Sequence, residues 1–128
     1  MIDHTGVSVS DFAISKRFYT QALAPIGYAL LMEIPAEVTG GTNVAGFGAP
    51  PRPDFWIAGG SPNKPPLHIA FRVESRALVD AFHREGIAAG GRDNGKPGLR
   101  PQYHPDYYGA FVLDPDGHNI EAVCHEPA

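Results

Sequence analysis

The chain has 128 residues, 43% of them hydrophobic and 19% charged, the size and balance of one ordinary globular domain able to build its own core. That excludes a coiled coil, a collagen-like chain and a disordered tail, and no run approaches the roughly 18 apolar residues of a membrane span. A net charge of −4, with ten Lys and Arg scattered along the chain, excludes an electrostatic grip on nucleic acid or an anionic membrane.

The opening residues have neither the basic end nor the apolar stretch of a secretory signal. The single cysteine, Cys124, supports neither an intrachain disulfide nor a Cys-based zinc site. A reducing cytoplasm is the expected setting. Fifteen glycines and 13 prolines concentrate in residues 40–66 and 88–109, where turns and loops are expected.

Residues 2–9 alternate β-branched and small side chains and read as a strand. Asp11 stands at a helix N-cap position. Ile14, Phe18 and Ala22, with Tyr19 and Leu23 beside them, form one apolar helix stripe, which Pro25 and Gly27 end. Residues 28–34 read as the next strand, with 44–48 and 55–58 as weaker ones.

The second half runs the same course. Residues 67–73 read as a strand and Ser75 as a cap. Leu78, Ala81 and Phe82 form a stripe, and Gly86 is the expected helix stop. Residues 110–113 and 119–124 read as strands around Asp114-Pro115-Asp116-Gly117, which carries the residues a type I turn prefers.

A shift of 64 residues puts the halves in register. His4 falls on His68, Val9 on Val73, Asp11 on Ser75, Ile14 on Leu78 and Phe18 on Phe82. An internal strand–helix–strands repeat is therefore expected, with one module at about residues 1–62 and the other at about 63–128 of a single domain.

The repeat places His4 and His68 at equivalent strand starts, and Glu121 lies in the last strand among Ile120, Ala122 and Val123. A carboxylate in an apolar strand either faces solvent or is paired. Two histidines and a carboxylate are the ligand types of a divalent site, and three protein ligands leave positions open for water and substrate. The competing reading makes each histidine a surface residue and Glu121 the wet side of an antiparallel sheet.

The openings Ile2-Asp3-His4 and Leu67-His68-Ile69-Ala70, the Phe18-Tyr19 pair and the ending from Phe111 through Asp114-Pro115-Asp116-Gly117 to Glu121 resemble the vicinal oxygen chelate superfamily. That group includes glyoxalase I, the bleomycin-resistance proteins, fosfomycin-modifying thiol transferases and the extradiol dioxygenases. The resemblance spans nearly the whole chain and implies an α+β fold of two tandem βαβββ modules, with curved mixed sheets around a central cleft. It implies one divalent metal (Zn, Ni, Mn or Fe) held by His4, His68 and Glu121.

Glyoxalase I carries a fourth ligand in the first module. The repeat shift puts Ile57 there, and Asp54 sits about three residues early. The dioxygenase and thiol-transferase branches place a tyrosine ten residues before the carboxylate, where this chain has Phe111.

The functional expectation is a metal-dependent lyase, isomerase or oxygenase acting on a small substrate with vicinal oxygens, whose developing negative charge the metal stabilises. If a proton moves, the base is a displaced Glu121 or a metal-bound hydroxide, and both stay open. Phe47, Phe55, Trp56, Tyr103, Tyr107 and Tyr108 are candidates for the pocket wall, and Arg100 for a substrate carboxylate. The alternative is a metal-free, antibiotic-sequestering binder of the bleomycin-resistance type. The resemblance also implies a homodimer, in which His4 can share a metal with His68 and Glu121 of the other subunit. His104, His118 and His125 suggest a second metal cluster but are set aside, His118 because strand alternation after the turn points it away from the Glu121 face. His83 falls on the wet side of its helix, and Cys124 reads as a buried inert thiol.

Overall fold

A computed structural model describes residues 1–128. Two four-stranded mixed sheets carry the fold. The first contains β1 (Thr5–Val9), β2 (Ala29–Ile34), β3 (Val44–Gly48) and β4 (Phe55–Gly59), in the order β1-β4-β3-β2. The second contains β5 (His68–Arg72), β6 (Arg92–Leu99), β7 (Tyr108–Leu113) and β8 (Asn119–Cys124), in the order β5-β8-β7-β6. In each, the first strand runs parallel to the last and the other neighbours are antiparallel. With α1 (Phe12–Ala22) and α3 (Arg76–Ala88), each half is a βαβββ unit, as the internal repeat predicts. No helix is long and apolar enough to cross a membrane.

Both long helices start where expected. The Asp11 side chain accepts the Ile14 N–H at 3.1 Å and Ser75 accepts that of Leu78 at 3.3 Å, each satisfying a donor the helix cannot. The buried face of α1 is Ser15, Phe18, Tyr19 and Ala22, with Ile14 half out at its rim. On α3 it is Val79, Phe82 and Gly86, with Leu78 and Ala81 half-buried beside it. These faces pack on the inner faces of both sheets to form one core. There Phe55 lies 5.1 Å from Tyr19 and 5.4 Å from Phe71, bridging the modules; such edge-on pairs contribute about 0.5–1.5 kcal/mol each beyond area burial.

Three expectations need correcting, and one short helix adds to them. Gly86 does not stop its helix: α3 runs on to Ala88, and the left-handed residue is Gly90, at φ +101°. Gly86 is buried where its missing side chain lets α3 approach Val112 of β7. The stretch 88–109 is not all loop, because Arg92–Leu99 is an edge strand held by backbone pairing to β7, with register shifts near Gly95. A four-residue helix, α2 (Ala36–Thr39), follows β2. Finally, β1 begins at Thr5, so His4 precedes it.

The β7–β8 hairpin forms as the turn residues require, with the Gly117 N–H donating to the Asp114 carbonyl at 2.9 Å. Its turn docks on the first module. Tyr19 donates to Asp114 Oδ2 at 2.6 Å, Asp116 accepts the Ser10 N–H at 3.0 Å, and His118 joins Leu67 to Ser8.

Candidate functional site

Strand alternation in β8 sends Ile120, Ala122 and Cys124 into the core and Glu121 to the other, open face of the second sheet. The parallel ladder sets Ala70 of β5 opposite Glu121, which brings His68, two residues earlier, to the same face. His68 Nε2 lies 2.9 Å from Glu121 Oε1. The Glu121 side chain is 2% exposed and that of His68 52%, so a buried carboxylate meets an accessible imidazole. The other oxygen, Oε2, accepts the Tyr107 hydroxyl. A carboxylate this buried requires such partners.

Room for that contact comes from Gly109, where a Cβ would stand 3.2 Å from both Glu121 Oε2 and Tyr107 Cε1. Burial first, and then the Glu121 bond and charge, push the Tyr107 hydroxyl well above the ordinary tyrosine range. It therefore stays protonated and donates. Phe111, the cross-strand partner of Glu121, lies with its ring 6.1 Å from that of His68.

A cavity of about 470 Å³ opens on this pair, lined by His68, Tyr103, His104, Tyr107, Glu121 and His125. All six belong to the second half of the chain. The Asp106 N–H donates to His104 Nδ1 at 3.1 Å. In the neutral ring Nε2 then carries the proton and donates to His125 Nδ1 at 2.8 Å. The two imidazoles stack at 5.1 Å, and Tyr107 meets both edge-on. Sequence reasoning passed over His104 and His125. A signal was present for the latter: residues 121, 123 and 125 share one parity. The hairpin register likewise places residues 107, 109 and 111 on the Glu121 face.

His4 is elsewhere. Its Nδ1 lies 2.7 Å from Asp3 Oδ2, with 61% of its side chain exposed. It lines a separate cavity of about 330 Å³ between the starts of β1 and β5, whose walls include Asp3, Tyr28, Asp54, His68 and Phe71. Within one chain, no three His, Cys, Asp or Glu side chains gather to hold a metal ion. Asp54 is engaged by the Tyr28 hydroxyl at 2.9 Å.

The register between halves also differs from the 64-residue shift. Thr5 pairs with Phe55 while Ile69 pairs with Ile120, so the counterpart of Glu121 in the first sheet is Trp56 and not Ile57. Ile57 points into the core. The Trp56 indole lies across Gly46, where a Cβ would come within 2.8 Å of the ring.

The remaining expected wall residues divide. Tyr103 and Tyr107 line the Glu121 cavity with ring centroids 4.8 Å apart. Phe47 is fully buried against Tyr19 and lines no cavity. Phe55 is a core residue that borders the His4 cavity. Tyr108 faces α3, donating to Asp80 at 2.7 Å beneath Arg76. Arg100 spends its guanidinium on the carbonyls of Gly98 and Lys96, over the Phe111 ring. His118 is wholly buried, its Nδ1 accepting from the Leu67 N–H and its Nε2 donating to the Ser8 carbonyl, both at 2.9 Å. His83 is paired with Asp93 at 3.0 Å, and Cys124 is buried and free.

Two βαβββ units, with a histidine and a carboxylate paired on an open sheet face, define a glyoxalase-like protein. A family model described as the Glyoxalase/Bleomycin resistance protein/Dioxygenase superfamily matches residues 1–122, and the chain belongs to that family. Among solved structures it is similar to a glyoxalase/bleomycin resistance protein from Albidiferax ferrireducens, at 28% identity and TM-score 0.77 over 95% of this chain and 97% of that one.

It shares its fold with the fosfomycin resistance protein FosX of Listeria monocytogenes, complexed with Mn(II) and sulfate, at 17% identity and TM-score 0.68 over 97% and 91% of the two chains. The same holds for a glyoxalase I variant from Zea mays, at 18% identity and TM-score 0.69 over 99% of this chain and 45% of that one. No curated protein matches the sequence.

Proposed function

We propose that this protein is a divalent-metal-dependent enzyme, a lyase, isomerase or oxygenase acting on a small substrate with vicinal oxygens. In this reading it works as a cytoplasmic homodimer of single-domain subunits. His68 and Glu121 of one chain and His4 of the second copy hold the metal. The observation that carries the reading is the pairing of buried Glu121 with accessible His68 on the floor of a cavity that the first module does not close. Imidazole nitrogen and carboxylate oxygen suit Zn, Ni, Mn or Fe, and FosX, of the same fold, is complexed with Mn(II).

A metal bound there supplies a Lewis acid that stabilises negative charge developing on substrate oxygens. The chain's own residues do the rest. Glu121 is the only carboxylate in the cavity and is the proposed proton carrier. Tyr107 holds its second oxygen, and the Tyr103, Tyr107, His104 and His125 rings wall the substrate from water on one side.

One observation favours a second reading, a metal-free ligand binder of the bleomycin-resistance type: His68 and Tyr107 already satisfy both Glu121 oxygens. Metal analysis of tag-free protein decides between them. The enzyme reading expects close to one divalent ion per site, lost in His68→Ala and Glu121→Ala. Protein that takes up no added Mn, Fe, Ni or Zn overturns it. Mixing equal amounts of His4→Ala and Glu121→Ala subunits rebuilds one of the two sites in each mixed dimer of a shared-site protein, and with free subunit exchange recovers about a quarter of the wild-type metal. No recovery in a subunit-exchanging dimer places each site within one chain.

A further inference from the structure

The tyrosine that meets Glu121 comes from an unexpected place. Phe111, directly across the ladder, has no hydroxyl, and the contact is made from four residues earlier, by Tyr107 at the end of the β6–β7 loop. Three features aim that ring. Tyr103 packs on it at 4.8 Å, His104 and His125 meet it edge-on at 5.5 and 5.4 Å, and Gly109 leaves the gap through which its hydroxyl reaches Oε2. The Glu121 oxygens are thereby made unequal: Oε2 belongs to Tyr107, and only Oε1 lies beside His68 Nε2.

A carboxylate with one oxygen free binds a cation through that oxygen alone. A carboxylate with both free can chelate, the mode that large, oxygen-seeking Ca²⁺ uses and small first-row ions need less. We propose that Tyr107 is a positioning residue that restricts Glu121 to a single metal-facing oxygen and so selects small transition-metal ions over Ca²⁺. The inference rests on the metal reading above and adds to it the residue that sets cation choice.

The test compares Mn²⁺ and Ca²⁺ affinities by calorimetry on metal-stripped dimer, for wild type and Tyr107→Phe. Outer partners of metal ligands are typically worth about 10–100-fold in affinity. Tyr107→Phe is expected to lower the preference for Mn²⁺ over Ca²⁺ at least about tenfold, with a changed Mn(II) electron paramagnetic resonance spectrum. Gly109→Ala keeps the hydroxyl but sets a methyl 3.2 Å from both Oε2 and Tyr107 Cε1, tight enough to displace one from the other, and is expected to shift the ratio the same way. A ratio unchanged in both variants, with the two affinities falling together or not at all, overturns the proposal and leaves the metal reading standing. Wild-type protein that binds neither ion overturns both.

Discussion

Tyr19→Phe probes the joint between the modules. Tyr19 is fully buried and Asp114 is 1% exposed. Asp114 Oδ1 accepts the N–H groups of Asp116 and His118 at 2.9 and 2.8 Å, whereas Oδ2 has only the Tyr19 hydroxyl, at 2.6 Å. Phenylalanine keeps the ring and its contacts with Phe18 and Phe55, so the cost is that of one hydrogen bond to a buried charge. Such bonds contribute about 1.5–3 kcal/mol, and at roughly 4 °C per kcal/mol for a domain of this size the melting temperature falls by about 6–12 °C.

Burial, and then the charge and bond of Asp114, hold the Tyr19 hydroxyl well above its ordinary range. Its contribution is thus fully present below pH of about 10. Above that it declines, as the unfolded chain releases a proton that the folded chain keeps. Urea unfolding of both proteins from pH 7 to 11 is expected to show a gap that narrows above about pH 10. The raised hydroxyls of Tyr28, Tyr107 and Tyr108 are common to both proteins and cancel in the difference. A gap under about 0.5 kcal/mol at pH 7, the level of ordinary surface changes, or one that widens with pH, refutes the reasoning.

Gly91→Ala forces a Cβ within 2.5 Å of Val112 and 2.7 Å of Phe18; a loss of about 1–3 kcal/mol is expected from the overpacking, read by chemical denaturation. Ser75→Ala removes the α3 cap at a cost of about 1 kcal/mol, and an unchanged midpoint would count against the cap. The His83 bond, followed by the Gly95 N–H, holds the exposed Asp93 carboxyl below its usual range. Its stabilisation is present above the ordinary carboxylate value and lost as pH falls through the lowered one. In His83→Ala, carbon-13 NMR should find Asp93 titrating closer to its ordinary value.

The legible parts of this chain are those where side-chain chemistry repeats with a period. Asp11 and Ser75 cap their helices, Phe18 and Phe82 anchor them, and Asp114–Gly117 fixes the last hairpin. β6 escaped because Arg92–Leu99 carries almost no apolar residues; an edge strand of Arg, Asp, Asn, Gly and Lys is specified by its neighbour's backbone. The one-residue slip that exchanges Ile57 for Trp56 is a ladder property that a linear repeat cannot express. Glu121 and His68 were found by residue type and position. Tyr107 was named for its aromatic ring, and it and His125 continue the Glu121 face one residue beyond the ends of β7 and β8, whereas His104 lies in the loop, where no periodicity points to a face.

Trp56 is the chain's only tryptophan, and it lies on the open face of the first sheet, over Gly46. Intrinsic fluorescence excited at the red edge of the indole band therefore reports on that face alone. Within one chain, the Glu121 cavity is lined by tyrosines and histidines and no indole. In the shared-site dimer proposed above, the subunit that lends its His4 would also bring the first sheet and its indole to that cavity, so a change in emission on mixing subunits would report assembly without a label.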